Sequence, residues 1–109
     1  MTILTELFAG VLPFVHTAEE RSFRKAAQKL GVTPAAVSKA IARLEGELGA
    51  PLLTRTSRHV SITKEGELFL ERCREAIANV QGARESVSRS RRVPQGELSA
   101  DEAMAAAGR

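Results

Sequence analysis

Apolar residues recur through the first twenty positions at the spacing of one helix face: Leu4, Leu7, Phe8, Val11, Val15 and Ala18. The pattern predicts an amphipathic helix ending near Glu20. Pro13 falls inside it, where a missing N–H and a crowded carbonyl four residues back predict a kink or a restarted helix. Phe23, Ala26, Ala27 and Leu30 form a second apolar face, with Phe23 and Leu30 expected to pack on Phe14. Ser22 stands before it as an N-cap, and Gly31 can end it in the left-handed conformation. A third helix follows, capped by Thr33 and with Pro34 at the first helical position, where a missing N–H costs nothing. Val37, Ile41, Leu44 and Leu48 make its buried stripe. Ala35, Ser38, Lys39 and Ala42 are left on the other side.

Gly49 and Pro51 stop this helix. Leu52, Leu53, Thr54 and Arg55 form one short strand, and His59, Val60, Ser61 and Ile62 a second, around a turn of Thr56, Ser57 and Arg58. Val60 and Ile62 alternate with polar neighbours, as a half-buried ribbon requires. Thr63 then caps a long helix whose first turn carries Glu65 and Glu67, suited to the positive end of the helix dipole. Phe69, Cys73, Ala76, Val80, Ala83 and Val87 repeat at heptad spacing, with Leu70 and Ile77 broadening the stripe. Such a seam on a small domain cannot bury itself. It predicts pairing with the same helix of a second chain, parallel or antiparallel.

A basic run at 88–92 leads to Val93, Pro94, Gln95 and Gly96, which read as a hinge. The expected organisation is a helix-turn-helix domain with a wing over 1–62, a linker helix over 63–92, and a hinge remnant with a frayed or weakly helical tail over 93–109. The fold class is mainly α: three helices plus a two-stranded wing, then a long dimerisation helix.

Composition sharpens this picture in two places. The chain has 109 residues with four Phe and no Trp or Tyr, so few large side chains fill a core and a partner is expected to complete burial. The net charge is only +3, but 21–60 holds eight basic and two acidic residues, a net of +6. A basic segment around a small-faced helix is the electrostatic footprint of phosphate binding. The lone cysteine excludes an intrachain disulfide and suits a reducing compartment. No signal peptide or membrane-length apolar run is present, so the expected location is the cytoplasm.

The string LGVTPAAVSKAIARLEGELGAPLLTRTSRHVSITKEGELFL, with FVHTAEERSFRKAA before it, resembles the N-terminal domain of LysR-type transcriptional regulators over roughly residues 7 to 92. The ordered parts carry the likeness: S-F-x-x-A-A, V-S-K-x-I-x-x-L-E, R-T-S-R and T-x-E-G. The resemblance implies sequence-specific binding of double-stranded DNA by a homodimer joined through the linker helix, with a higher oligomer left open for a full-length protein. It also implies that a small-molecule inducer acts only on an effector domain, which does not follow here: the strand pattern starting at Glu97 and Leu98 gives way to SADEAMAAAGR. Without that domain, constitutive binding is expected.

By this resemblance Pro34, Ala35, Ser38 and Lys39 meet base edges, while Ser22, Arg24, Thr33 and Arg43 anchor phosphates. Arg55, Ser57 and Arg58 on the wing would reach phosphates or the minor groove. Many members carry glutamine at the places held by Pro34 and Ala40, so bidentate amide readout of adenine is closed to this chain. Readout should lean on thymine methyls against Pro34 and Ala35, on Ser38 and Lys39, and on DNA shape.

Cys73 fits the seam as a small apolar group rather than a redox sensor. His16 and His59 are isolated, so no metal site or cofactor is expected. Glu65, Glu67, Glu71 and Glu75 interleave with Arg72 and Arg74 as a solvated face, and nothing pairs a nucleophile with a base, so no enzyme is expected. The rival function is a dimerising interaction module that does not grip DNA, which the seam fits equally but the +6 segment does not.

Overall fold

A computed structural model describes residues 2–56 and 59–92 of the chain. The elements run α1 (Thr2–Phe8), α2 (Val11–Glu20), α3 (Phe23–Leu30), α4 (Pro34–Leu48), β1 (Leu53–Arg55), β2 (Val60–Ile62) and α5 (Lys64–Arg92). The chain divides into two units between Arg74 and Glu75. The boundary lies inside α5 rather than at its start, because Phe69, Leu70 and Cys73 belong to the first unit.

The N-terminal stretch is two helices, and the break is not at Pro13. It comes at Gly10, which takes φ 84° and accepts the first helical hydrogen bond of α2 from Phe14 N–H at 2.9 Å. Pro13 sits in the first turn of α2, where its absent N–H has no intrahelical partner to lose. Gly10 is also buried against α4: a Cβ there would lie 3.0 Å from the Ala40 carbonyl oxygen and 3.0 Å from Leu44 Cβ. The break interrupts the predicted stripe. Leu7 and Phe8 of α1 are exposed, whereas Phe14 and Val15 of α2 are buried.

α2, α3 and α4 pack on one another around Phe14, Ala26, Ala27, Val37, Ile41 and Leu44. Leu48, expected in that stripe, is 47% exposed because it ends α4 where the chain turns away through Gly49. Phe14 meets Phe69 of α5, at 5.6 Å between ring centroids and 50° between planes, while Phe23 lies beneath the Arg55 guanidinium.

β1 and β2 pair antiparallel, with Leu53 opposite Ile62, Thr54 opposite Ser61 and Arg55 opposite Val60. The turn closes through Thr56, whose N–H donates to the His59 carbonyl at 2.9 Å. Where β2 meets α5, Thr63 caps the helix by accepting from Gly66 N–H at 2.9 Å, and its hydroxyl donates to the Pro51 carbonyl at 2.7 Å. Gly66 is required there for space. A Cβ would run into the Leu52 carbonyl oxygen and come within 2.7 Å of Ile62 Cγ1. In the second unit the remaining seam of α5 is open: Val80 is 61% and Val87 62% exposed, and Ala76 and Ala83 are also exposed, with Ile77 half-buried.

Candidate nucleic-acid interface

Both predicted caps of the helix-turn-helix form. Ser22 Oγ accepts from Lys25 N–H at 3.0 Å, and Thr33 Oγ1 accepts from Ala36 N–H at 3.1 Å. Between them Gly31 takes φ 72°, and its N–H turns back on the Ala27 and Gln28 carbonyls. Each cap uses one acceptor lone pair of its hydroxyl and leaves the O–H as a donor, beside the positive end of a helix. That is the arrangement a phosphate oxygen fits.

Pro34, Ala35, Lys39 and Ala42 are exposed on α4 and Ser38 is half-buried, opposite the buried Val37, Ile41 and Leu44. The face is small except for Lys39. Among the described residues no carboxylate lies within ion-pair distance of Arg24, Lys25 or Lys39. Lys29 is held by Glu20 at 2.6 Å, which lowers the Glu20 carboxyl below its usual range and raises the Lys29 ammonium above its own. Arg43 approaches Glu47 at 3.7 Å one turn away, both well exposed, a pair worth little in water.

Two connections bind the wing to α4, and the sequence reading reached neither. Glu45 Oε2 accepts from Leu52 N–H at 2.8 Å and from Leu53 N–H at 3.1 Å. Arg55 Nη1 donates to Ser38 Oγ at 2.9 Å, with its guanidinium carbon 4.6 Å from the centroid of the Phe23 ring. One arginine thus joins β1, α4 and the start of α3. A signal for the first existed. A two-stranded ribbon entered through Pro51 leaves donors near its start in need of an acceptor, and Glu45 is the carboxylate at the end of the preceding helix. No spacing rule pairs Arg55 with Ser38.

Of the residues singled out from the sequence, Ser22, Arg24, Thr33, Pro34, Ala35, Ser38, Lys39, Arg43 and Arg55 all lie in the first unit. Ser57 and Arg58, and the hinge at 93–96, fall outside the described residues. Phe69, Leu70 and Cys73, expected in the dimer seam, are drawn into the core of the chain's own first unit: Leu70 and Cys73 are 8% and 7% exposed and Phe69 faces Phe14. This part of the stripe turns inward, with Phe14 of α2 against Phe69. Burial pushes the Cys73 thiol above its usual pKa, which makes it a poor nucleophile. Among the described residues no group of histidine, cysteine or carboxylate side chains could hold a metal ion, and no helix is long and apolar enough to cross a membrane.

Residues 12–67 match the family model described as bacterial regulatory helix-turn-helix protein, lysR family. Among curated relatives, the chain is 38% identical over 91 residues to the HTH-type transcriptional regulator CrgA of Neisseria meningitidis serogroup B, covering 84% of this chain and 30% of that protein. It is 42% identical over 85 residues to AlsR of Bacillus subtilis, covering 78% and 28%. The chain therefore spans less than a third of the length of these relatives. Among solved structures, the BenM DNA-binding domain in complex with benA site 1 DNA shares 39% identity at a TM-score of 0.66, over 81% of this chain and 96% of that one. Full-length CbnR with its target DNA shares 32% at a TM-score of 0.62, over 75% and 27%.

Proposed function

The chain belongs to the lysR family of bacterial regulatory helix-turn-helix proteins, and on that premise we propose that it binds double-stranded DNA sequence-specifically and regulates transcription. The reading rests on one observation above the rest: the small, exposed face of α4, in a chain that overlays nearly the whole of a DNA-bound relative's binding domain. α4 enters the major groove. Pro34 and Ala35 meet thymine methyls, Ser38 and Lys39 meet base edges, and Ser22, Arg24, Thr33 and Arg43 hold phosphates. The wing, with Arg55, Ser57 and Arg58, lies along the flanking backbone or minor groove.

The chain acts as a homodimer in the cytoplasm, on the nucleoid. Ala76, Ile77, Val80, Ala83 and Val87 form the pairing seam and bring two α4 helices to half-sites about one helical turn apart, or a multiple of it. Selection of bound sites from a random duplex library tests this directly. Recovery of a two-fold symmetric pair of half-sites, with affinity falling steeply as salt rises, is the expected result. Equal retention of all duplexes would overturn it in favour of a dimerising module without a DNA target.

A further inference from the structure

We propose that Arg55 is a positioning residue that sets the Ser38 hydroxyl as a hydrogen-bond donor on the DNA-facing side of α4, so that Ser38 reads an acceptor on a base. The inference rests on the DNA-binding reading above and deepens it. Arg55 was expected to reach phosphates or the minor groove. In the structure its fork is engaged instead, donating to Ser38 Oγ at 2.9 Å while lying 4.6 Å from the centroid of the Phe23 ring.

Guanidinium can only donate, and a serine hydroxyl offers one proton and two lone pairs. With one lone pair taken by a cation, the hydroxyl keeps its proton to give. The positive charge behind it repels a second donor such as the amino group of cytosine or adenine. Ser38 donates to no acceptor among the described residues, so its O–H remains for an incoming edge. Such edges are the N7 of a purine, O6 of guanine and O4 of thymine. Phe23 holds the guanidinium by a cation–π contact, the guanidinium carbon 4.6 Å from the ring centroid, which gives the α3 aromatic a part in readout without touching DNA.

The test starts from the duplex selected by the wild-type chain. Each purine in turn is replaced by its 7-deaza analogue, which removes N7 and keeps the other edges, and each thymine by 4-thiothymine, which weakens the O4 acceptor; binding is read by fluorescence anisotropy. One position should cost wild type about three- to tenfold in affinity and cost Ser38→Ala nothing. Arg55→Lys keeps a charge for phosphate but cannot stack on Phe23 and donate to Ser38 together, so it should lose most of the penalty at that same position. The double variant Ser38→Ala, Arg55→Lys should behave at that position as Ser38→Ala does alone, with no further change.

Circular dichroism melts confirm that each variant is folded, and Arg55→Gln provides a second probe, this one uncharged, with the same expected loss. Full retention of the penalty in folded Arg55→Lys and Arg55→Gln would overturn the inference, as would effects of Ser38 and Arg55 on different positions. Either outcome leaves DNA binding intact. Failure of wild type to select any duplex would instead overturn the reading on which it rests, and the inference with it.

Discussion

The ring of Phe14, fully buried in α2, meets that of Phe69 in α5 at 5.6 Å between centroids and an inclination of 50°, an arrangement between stacked and edge-on. Through this contact the first turns of α5 become part of the head. Phe14→Ala should cost about 3–5 kcal/mol in urea unfolding, since the whole ring is buried. Phe69→Ala should cost less, because Phe69 is only half-buried. The double variant should recover about 0.5–1.5 kcal/mol of coupling. Simple additivity would show that the rings merely lie near each other.

Glu45 predicts a second stability effect. Its Oε2 is the acceptor for two backbone N–H groups at the start of β1, on residues whose side chains are buried. Glu45→Ala strands both donors and should destabilise by about 2–3 kcal/mol, with Glu45→Gln losing roughly half of that. Glu47→Gln, on the exposed pair with Arg43, should stay within about 0.5 kcal/mol. Denaturant midpoints of the three variants check the ordering. A loss from Glu47→Gln as large as that from Glu45→Ala would point to helix charge rather than to the anchored wing.

Much of this fold is legible because local rules and tertiary packing agree. Ser22, Gly31, Thr33, Pro34 and Gly49 stand where capping chemistry puts them, so α3 and α4 keep the ends that the sequence predicts. Pairing of the wing strands follows from alternation at Val60 and Ile62. Legibility ends where two patterns compete for one residue. Phe69, Leu70 and Cys73 fit a heptad as well as they fit a head, and only the position of α2 decides between the two. Gly10 was silent for a related reason: the proline three residues on carries the stronger local signal, but its position in a first turn makes it harmless. The Arg55–Ser38 contact joins residues seventeen apart and depends on how the wing folds back, which no periodicity encodes.

The Glu20–Lys29 contact gives a pH dependence of known sign. Hydrogen bonding and charge from Lys29 lower the Glu20 carboxyl, so its contribution to stability is present above the ordinary glutamate range and fades as pH falls through the lowered value. The Lys29 ammonium is raised by the same partner, so its share is complete below the ordinary lysine value and is lost as pH rises through the raised one. Both groups are exposed, and the effect should be small. Carboxyl carbon chemical shifts should show Glu20 titrating below the usual glutamate range, and Lys29→Met should return it toward that range. An unchanged Glu20 titration in Lys29→Met would remove the pair from the account.

On DNA, two cations should separate by what they touch. Lys39 stands on the exposed α4 face beside Ser38, whereas Arg24 is exposed in the first turn of α3. Lys39→Ala should weaken binding and narrow the gap between selected and scrambled duplexes, as loss of a base contact does. Arg24→Ala should weaken both duplexes alike and reduce the slope of log affinity against log salt by about 1. Equal, sequence-blind losses in both variants would place Lys39 on phosphate.

The last expectation concerns the part of α5 that the chain leaves uncovered. Val80 and Val87 are 61% and 62% exposed, seven residues apart on one stripe with Ala76 and Ala83, while the upstream half of the stripe is already spent on the head. A second chain offering the same stripe would bury both valines on each side, and two-fold symmetry makes every substitution count twice. Val80→Asp places a carboxylate opposite apolar neighbours and should raise the dimer dissociation constant at least tenfold, about 1.4 kcal/mol or more. Ala78→Glu, at the outermost position of the heptad, should leave it unchanged. Sedimentation velocity across micromolar concentrations distinguishes these outcomes, and helicity by circular dichroism shows that the monomer stays folded. Loss of the head's folding in Val80→Asp would mean that this residue too serves the chain's own core. If Val80→Asp dimerised as tightly as wild type, the pairing surface would lie elsewhere, and the half-site spacing expected from it would have to be drawn again.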